Sequence, residues 1–278
     1  MSKGILLFAK GEEYVQQAIL CALSCKLTNP DIGICLVTED TVPMKFVNLF
    51  EYIIPIPWGS SKKSRYQCDD RWKLYHVSPY DETIVLDADV LVLQDISKWW
   101  EFLHNYDIFY LNSVFDYRGQ VITSDYYRKV FTANDLPSVY NGLHYFRKRD
   151  AAKEFYAWIE LITNNWELFY GNFVKNYYPK ESSMDVTCGL AIKILQNEHL
   201  ITHNGNNVIK FVHMKSRLQN WNSVRENWTK QIGVYLTENC DLIIGNYKQS
   251  GVFHYTENSF VQASMLEKYS KALGITCT

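Results

Sequence analysis

Asp87 and Asp89 stand at the end of an apolar run, Thr83-Ile84-Val85-Leu86, and a second apolar run, Val90-Leu91-Val92-Leu93, follows at once. Along a regular strand two such carboxylates point to opposite faces, but where a strand ends and the chain turns both can converge on one cation. Oxygen donors of this kind suit a hard divalent ion, Mn2+ or Mg2+, and such an ion commonly arrives carrying a diphosphate. Acids held in an apolar region need a partner, because burying an unpaired carboxylate is costly. An isolated D-x-D leaves a second reading open, in which Asp87 and Asp89 only cap the turn after a strand.

The elements that would position this pair follow from the apolar pattern. Residues 5–8 predict a buried strand. Residues 14–26 predict a helix with Val15, Ala18, Ile19, Ala22 and Leu23 on one stripe, and 32–37 a second strand. Residues 50–57 predict a third strand, 60–65 a basic loop, 71–77 a helix, and 83–86 the strand that delivers the acids. In the second half, 106–111, 142–146, 208–212 and 251–255 predict strands, and 151–161 and 186–196 predict helices. A terminal helix is predicted at 259–273, with Phe260, Met265, Leu266, Tyr269 and Leu273 on its apolar face. This alternation predicts an α/β fold, with a mixed, mostly parallel sheet flanked by helices and ligands bound at the carboxyl ends of its strands. No Gly-, Ser- or Pro-rich linker interrupts the chain. A single domain over 1–278 is expected, built as two fused lobes of about residues 1–110 and 111–278.

Composition narrows the function classes. The 278 residues carry 28 Lys and Arg against 30 Asp and Glu, so bulk charge gives no basis for nucleic-acid or anionic-membrane binding. No apolar run approaches the roughly 18 residues of a membrane span, and the first residues lack the features of a signal peptide. Seven scattered cysteines without a C-x-x-C pair suit a reducing compartment, so a cytoplasmic protein is expected. Aromatic residues make up 15% of the chain, more than a core of this size would call for.

Two enzyme classes place D-x-D after an apolar strand. Asp87-Ala88-Asp89-Val90-Leu91 fits the string of haloacid-dehalogenase-like phosphatases, in which the first Asp is the nucleophile. That motif normally sits on the first strand of its domain, whereas here a βαβ unit precedes it. The other class is the nucleotide-sugar glycosyltransferases of the Rossmann-like GT-A fold. Arg71-Trp72-Lys73-Leu74-Tyr75, Tyr80-Asp81-Glu82-Thr83-Ile84-Val85-Leu86-Asp87-Ala88-Asp89 and Val90-Leu91-Val92-Leu93-Gln94-Asp95-Ile96 together resemble the glycogenin-like transferases of glycosyltransferase family 8.

That resemblance implies roles for particular residues. Tyr14 takes the place of the tyrosine that stacks on uracil, with Phe8, Ala9 and Lys10 lining the base. Lys73 matches the donor-contacting lysine and Arg65 the upstream arginine, while Asp87 and Ala88 meet the donor and Asp87 and Asp89 the metal. Tyr140-Asn141-Gly142 is similar to the family's N-x-G strand, with Asn141 displaced by one position. Asp185 matches the acid near the transferred sugar, although Val186 stands where the family has Gln. The third metal ligand is a His at the end of a late strand. His213, followed by Lys215, Arg217 and Trp221, keeps the family spacing, and His254 is its rival; Lys215 and Arg217 would face the departing diphosphate and set His213 ahead.

The resemblance thus implies a metal-dependent transfer of a hexose from a UDP-sugar to an acceptor hydroxyl, with retention of configuration. Residues 1–110 would be the nucleotide-binding lobe and 111–278 the acceptor lobe. The acceptor itself, whether glycan, lipid-linked sugar, protein or modified nucleobase, and the oligomeric state are not readable. The phosphatase with Asp87 as nucleophile and an inactive nucleotide-sugar-binding module stay as alternatives. Trp99, Trp100, Tyr117, Tyr126, Tyr127, Tyr140, Trp166, Tyr170, Tyr177 and Tyr178 form the aromatic surplus, part of which is expected to line an acceptor groove.

Overall fold

A computed structural model describes residues 1–60, 68–122, 128–205, 208–214 and 228–275. Its strands are β1 (Lys3–Phe8), β2 (Gly33–Val37), β3 (Tyr52–Ile54), β4 (Glu82–Leu86), β5 (Val90–Val92), β6 (Ile108–Leu111), β7 (Tyr140–Arg147), β8 (Thr202–His203), β9 (Phe211–His213), β10 (Val234–Leu236), β11 (Leu242–Ile244), β12 (Tyr247–Lys248) and β13 (Val252–His254). The helices are α1 (Glu12–Thr28), α2 (Leu74–Val77), α3 (Ser97–Leu103), α4 (Lys129–Ala133), α5 (Asp150–Asn164), α6 (Trp166–Phe173), α7 (Met184–Leu195), α8 (Glu198–Ile201) and α9 (Ala263–Ala272).

Seven strands form the main sheet in the order β3-β2-β1-β4-β7-β6-β8. All pair in parallel except β7, which runs antiparallel to both β4 and β6. The sheet is therefore mixed and mostly parallel, as the alternation of elements predicts. Its central strands read as uninterrupted apolar runs because both faces are covered. Ile5, Leu7, Ile34, Leu36, Ile84, Leu86 and Leu143 face the layer containing α1, α3 and α9. Leu6, Phe8, Cys35, Val37, Val85 and Phe146 face α5 and α7.

Beyond Leu86 the chain leaves this sheet, and at Val90 it enters a three-stranded one ordered β5-β13-β9. Helix α1 buttresses the transfer. Ser24 Oγ accepts from the Val92 amide at 3.0 Å, and Asn29 Oδ1 accepts from the Ile96 amide at 2.8 Å while its Nδ2 donates to the Gln94 carbonyl at 3.0 Å. These bonds explain the buried polar Ser24 on α1 and Asn29 at its C-terminal cap.

Several boundaries differ from the sequence reading. The strand expected at 50–57 shrinks to Tyr52–Ile54, an edge strand with no fully buried residue, after a 3-10 turn over Met44–Leu49. The strand expected at 208–212 is Phe211–His213, and the terminal helix starts at Ala263 because Val261 and Gln262 are extended. Helices α3 and α6 are too short for their periodicity to stand out.

His144, on β7, is 3% exposed; its Nδ1 lies 3.0 Å from the Asn141 carbonyl, its Nε2 2.9 Å from the Tyr156 hydroxyl, and its ring stacks on Tyr110. Burial foremost depresses its pKa to about 4, so it stays neutral in the fold while an unfolded chain protonates near 6.5. Its contribution is complete above pH 6.5 and is lost as pH falls toward 4, by up to about 3 kcal/mol. Urea midpoints measured from pH 7 to 4 should fall along this course, and the fall should be shallower in His144→Gln.

Candidate active site

The transfer between sheets brings the acids to a histidine. In the small sheet Val90 pairs with His254 and His254 with His213, so both late histidines lie level with the end of the Asp87-Ala88-Asp89 turn. The amide of Asp87 donates to the Gly142 carbonyl at 3.1 Å, and that of Tyr255 to the Asp89 carbonyl at 3.2 Å. These backbone bonds fix both acids without using their side chains.

His254 Nε2 lies 3.0 Å from Asp89 Oδ2 and 4.0 Å from Asp87 Oδ2. Ligand atoms from Asp87, Asp89 and His254 fall within 4.8 Å of one another. His213 stands beside this group, its ring centroid 4.7 Å from that of His254, and Phe211 stacks on His254 at 5.7 Å while meeting His213 edge-on at 5.8 Å. Gly142 gives the cluster its space: a Cβ there would sit 3.1 Å from both Asp87 Oδ2 and His254 Nδ1. Two carboxylates and one imidazole around a space that lacks a side chain fit a divalent cation of the Mn2+ or Mg2+ kind.

Arg71 is the residue that sequence reasoning passed over. Its Nη2 is 2.7 Å from Asp87 Oδ1, and its guanidinium lies over the Phe8 ring at 5.5 Å. Burial alone would push the Asp87 carboxyl up, but Arg71 first and His254 next outweigh it and hold the carboxyl below its ordinary range. The only sequence signal was position, since Arg71 opens the same segment as Lys73. Lys73 is turned elsewhere, with its ammonium 2.7 Å from Asp70 Oδ1 and donating to the Gly59 carbonyl at 2.5 Å. Asp70, 1% exposed, also pairs with Lys10 at 3.3 Å. Asp70 and Lys73 stack in a 3-10 turn over Cys68–Lys73, where residues three apart eclipse one another.

Around the carboxyl end of β1, Tyr14 stands half-buried on the first turn of α1, its hydroxyl pKa raised by burial and then by Asp89. Phe8 and Ala9 are buried, as is Ala88. The amide of Gly11, at φ +104, donates to Asp40 Oδ2 at 2.6 Å. Asp40 is a second acid that the sequence did not single out.

Asp185 ties α7 to the start of α4 by an ion pair and to β7 by a backbone bond. Asp185 Oδ2 lies 2.6 Å from Arg128 Nη1, and its Oδ1 accepts from the Asn141 amide at 2.8 Å. The Arg128 guanidinium is held between the Phe131 and Tyr140 rings at 4.1 and 4.0 Å. The Asn141 side chain is buried, its Oδ1 facing Cys188 Sγ. Arg65, Lys215, Arg217, Trp221, Tyr126 and Tyr127 lie outside the described residues. The aromatic surplus divides: Trp99, Trp100, Tyr140 and Tyr170 are buried core side chains, whereas Tyr177 and Tyr178 are exposed.

Mn2+ binding, followed by loss of the free-ion electron paramagnetic resonance signal, should weaken by about tenfold or more in Asp89→Ala. Gly142→Val should weaken it as well by filling the space, and Arg71→Met should strengthen it by releasing Asp87. Unchanged binding in Asp89→Ala would place the ion elsewhere.

The sequence matches no protein-family model and no curated protein. The structure is similar to that of the galactosyltransferase LgtC solved with donor and acceptor sugar analogues, with a TM-score of 0.56 and 14% identity over 99% of this chain and 96% of that one. It is also similar to mouse xyloside xylosyltransferase 1, with a TM-score of 0.50 and 14% identity over 93% of this chain and 99% of that one. The sheet order, the flanking helices and these likenesses identify the fold of this chain as the GT-A glycosyltransferase fold.

Proposed function

We propose that the chain is a metal-dependent nucleotide-sugar glycosyltransferase, moving a hexose from a UDP-sugar to an acceptor hydroxyl. The observation that carries this reading is the Asp87, Asp89 and His254 cluster, set at the carboxyl end of a central strand of a GT-A sheet with Arg71 beside it. A bound divalent ion would supply Lewis-acid stabilisation of the diphosphate leaving group. Asp87 Oδ2, Asp89 and His254 Nε2 would hold that ion, with His213 supporting His254. Tyr14, half-buried at the first turn of α1, would stack on the base.

Arg71 is the described cation nearest the acid pair, and it would add positive charge where the departing diphosphate gains negative charge. Lys215 and Arg217 are assigned the same role from sequence. Asp185, aligned by Arg128 and the Asn141 amide, would face the transferred sugar. Retention of configuration follows from the resemblance to family 8, as does the division into a nucleotide lobe over about 1–110 and an acceptor lobe over about 111–278. No helix among the described residues is long and apolar enough to cross a membrane. The described cysteines are buried thiols, which supports a reducing, cytoplasmic setting.

UDP release from UDP-glucose, UDP-galactose and UDP-N-acetylglucosamine with Mn2+ tests the proposal. Turnover of at least one donor should vanish with chelator, and Asp89→Ala should lower it about a hundredfold or more. UDP and Mn2+ binding without turnover of any donor would overturn the enzyme in favour of a binding module, and an aspartyl-phosphate analogue trapped at Asp87 would favour a phosphatase.

A further inference from the structure

We propose that Trp58, backed by Trp72 and bordered by His76, is a docking platform for a pyranose ring of an oligosaccharide acceptor. The Trp58 and Trp72 rings stack with centroids 5.5 Å apart and planes 10° apart. His76 meets both edge-on, at 5.4 Å from Trp58 and 5.9 Å from Trp72. Trp72 is anchored against the core, but Trp58 is 70% exposed, so a wide indole surface is offered to solvent.

Two features argue that this exposure is built in. Trp58 has φ +58, a left-handed backbone that bulky residues rarely adopt and that local structure must enforce. Lys73 does the enforcing, since its ammonium bonds to the carbonyl of the next residue, Gly59, pairs with the buried Asp70, and lies 5.7 Å over the Trp72 ring. Lys73 is thus the clamp of the platform.

A sugar fits this chemistry better than a flat apolar partner does. Pyranoses present a C–H face that an aromatic ring covers, and hydroxyls around the rim that need polar partners. The exposed His76 imidazole supplies a polar edge, and the charges of Glu160, Lys148 and Lys153 act on it. Trp72 also directly follows Arg71, whose guanidinium reaches Asp87, so one 3-10 turn carries both the backing of the platform and a residue of the candidate active site. Only the word acceptor rests on the glycosyltransferase reading; sugar binding by the platform does not.

Saturation-transfer difference NMR with lactose, cellotriose and chitotriose on the full chain, without nucleotide, tests the platform. Transfer to the ring C–H protons of at least one saccharide is expected. Trp58→Ala should weaken binding by about tenfold, with Trp58→Phe restoring most of it and both variants keeping the parent thermal midpoint. No transfer to any of the three, or transfer undiminished in Trp58→Ala, would overturn the proposal. Saccharide binding without donor turnover would sink the glycosyltransferase reading and leave the platform; donor turnover without saccharide binding would do the reverse.

Discussion

At Leu86 the chain leaves the seven-stranded sheet, at Val90 it enters the three-stranded one, and the backbone bonds across this short transfer determine where Asp87 and Asp89 can stand. Gly142 holds Asp87 from one sheet, and Tyr255 holds Asp89 from the other. Ser24 of α1 and Asn29, which caps its C-terminus, tie down the strand that follows. A shift of one residue in β5 against β13 would turn alternate side chains to the opposite face and take His254 from the acids. The cluster is therefore a property of sheet register more than of any side-chain contact.

Charged groups near this transfer meet opposite charges locally: Asp87 with Arg71, Asp70 with Lys10 and Lys73, and Asp185 with Arg128. Removing charges from water is costly, and a buried pair offsets that cost only when both partners are present. Deleting one partner leaves the other stranded, which in buried pairs costs about 3–5 kcal/mol. The Asp70 cluster, with its carboxylate 1% exposed, is the clearest instance. Its two lysines hold the start of α1 and the turn at Gly59 against a common anchor, so loss of Asp70 would loosen both at once.

Much of this was legible in the chain because it depends on local pattern. Two-face burial makes β1, β2 and β4 apolar runs, and a D-x-D after such a run is conspicuous. What stayed hidden depends on geometry that local pattern does not encode. Arg71 and Lys73 are both cations in one segment, and only the 3-10 turn decides that one reaches Asp87 and the other Asp70. His213 and His254 both end apolar strands; the three-stranded order, with β13 between β5 and β9, gives His254 the inner place. Part of the aromatic excess is core: Trp99 and Tyr170 sit on helices too short to show a period in the sequence, where they are buried.

The two oxygens of Asp87 divide the work at the site. Oδ1 is taken by Arg71, while Oδ2 faces His254 and the space beside Gly142. Arg71 thus cancels one of the two carboxylate charges while leaving a ligating oxygen open. Asp87, Asp89 and Arg71 together carry one net negative charge, enough to attract a divalent cation but not to quench it. A bound divalent ion would leave the cluster with a net positive charge, the sign that a diphosphate requires. An uncompensated pair of carboxylates would bind the cation more strongly and present a neutral face to the phosphates. On this balance, the guanidinium against Phe8 does more than fill the space above β1: it gives up some metal affinity so that the occupied site stays attractive to a polyanion.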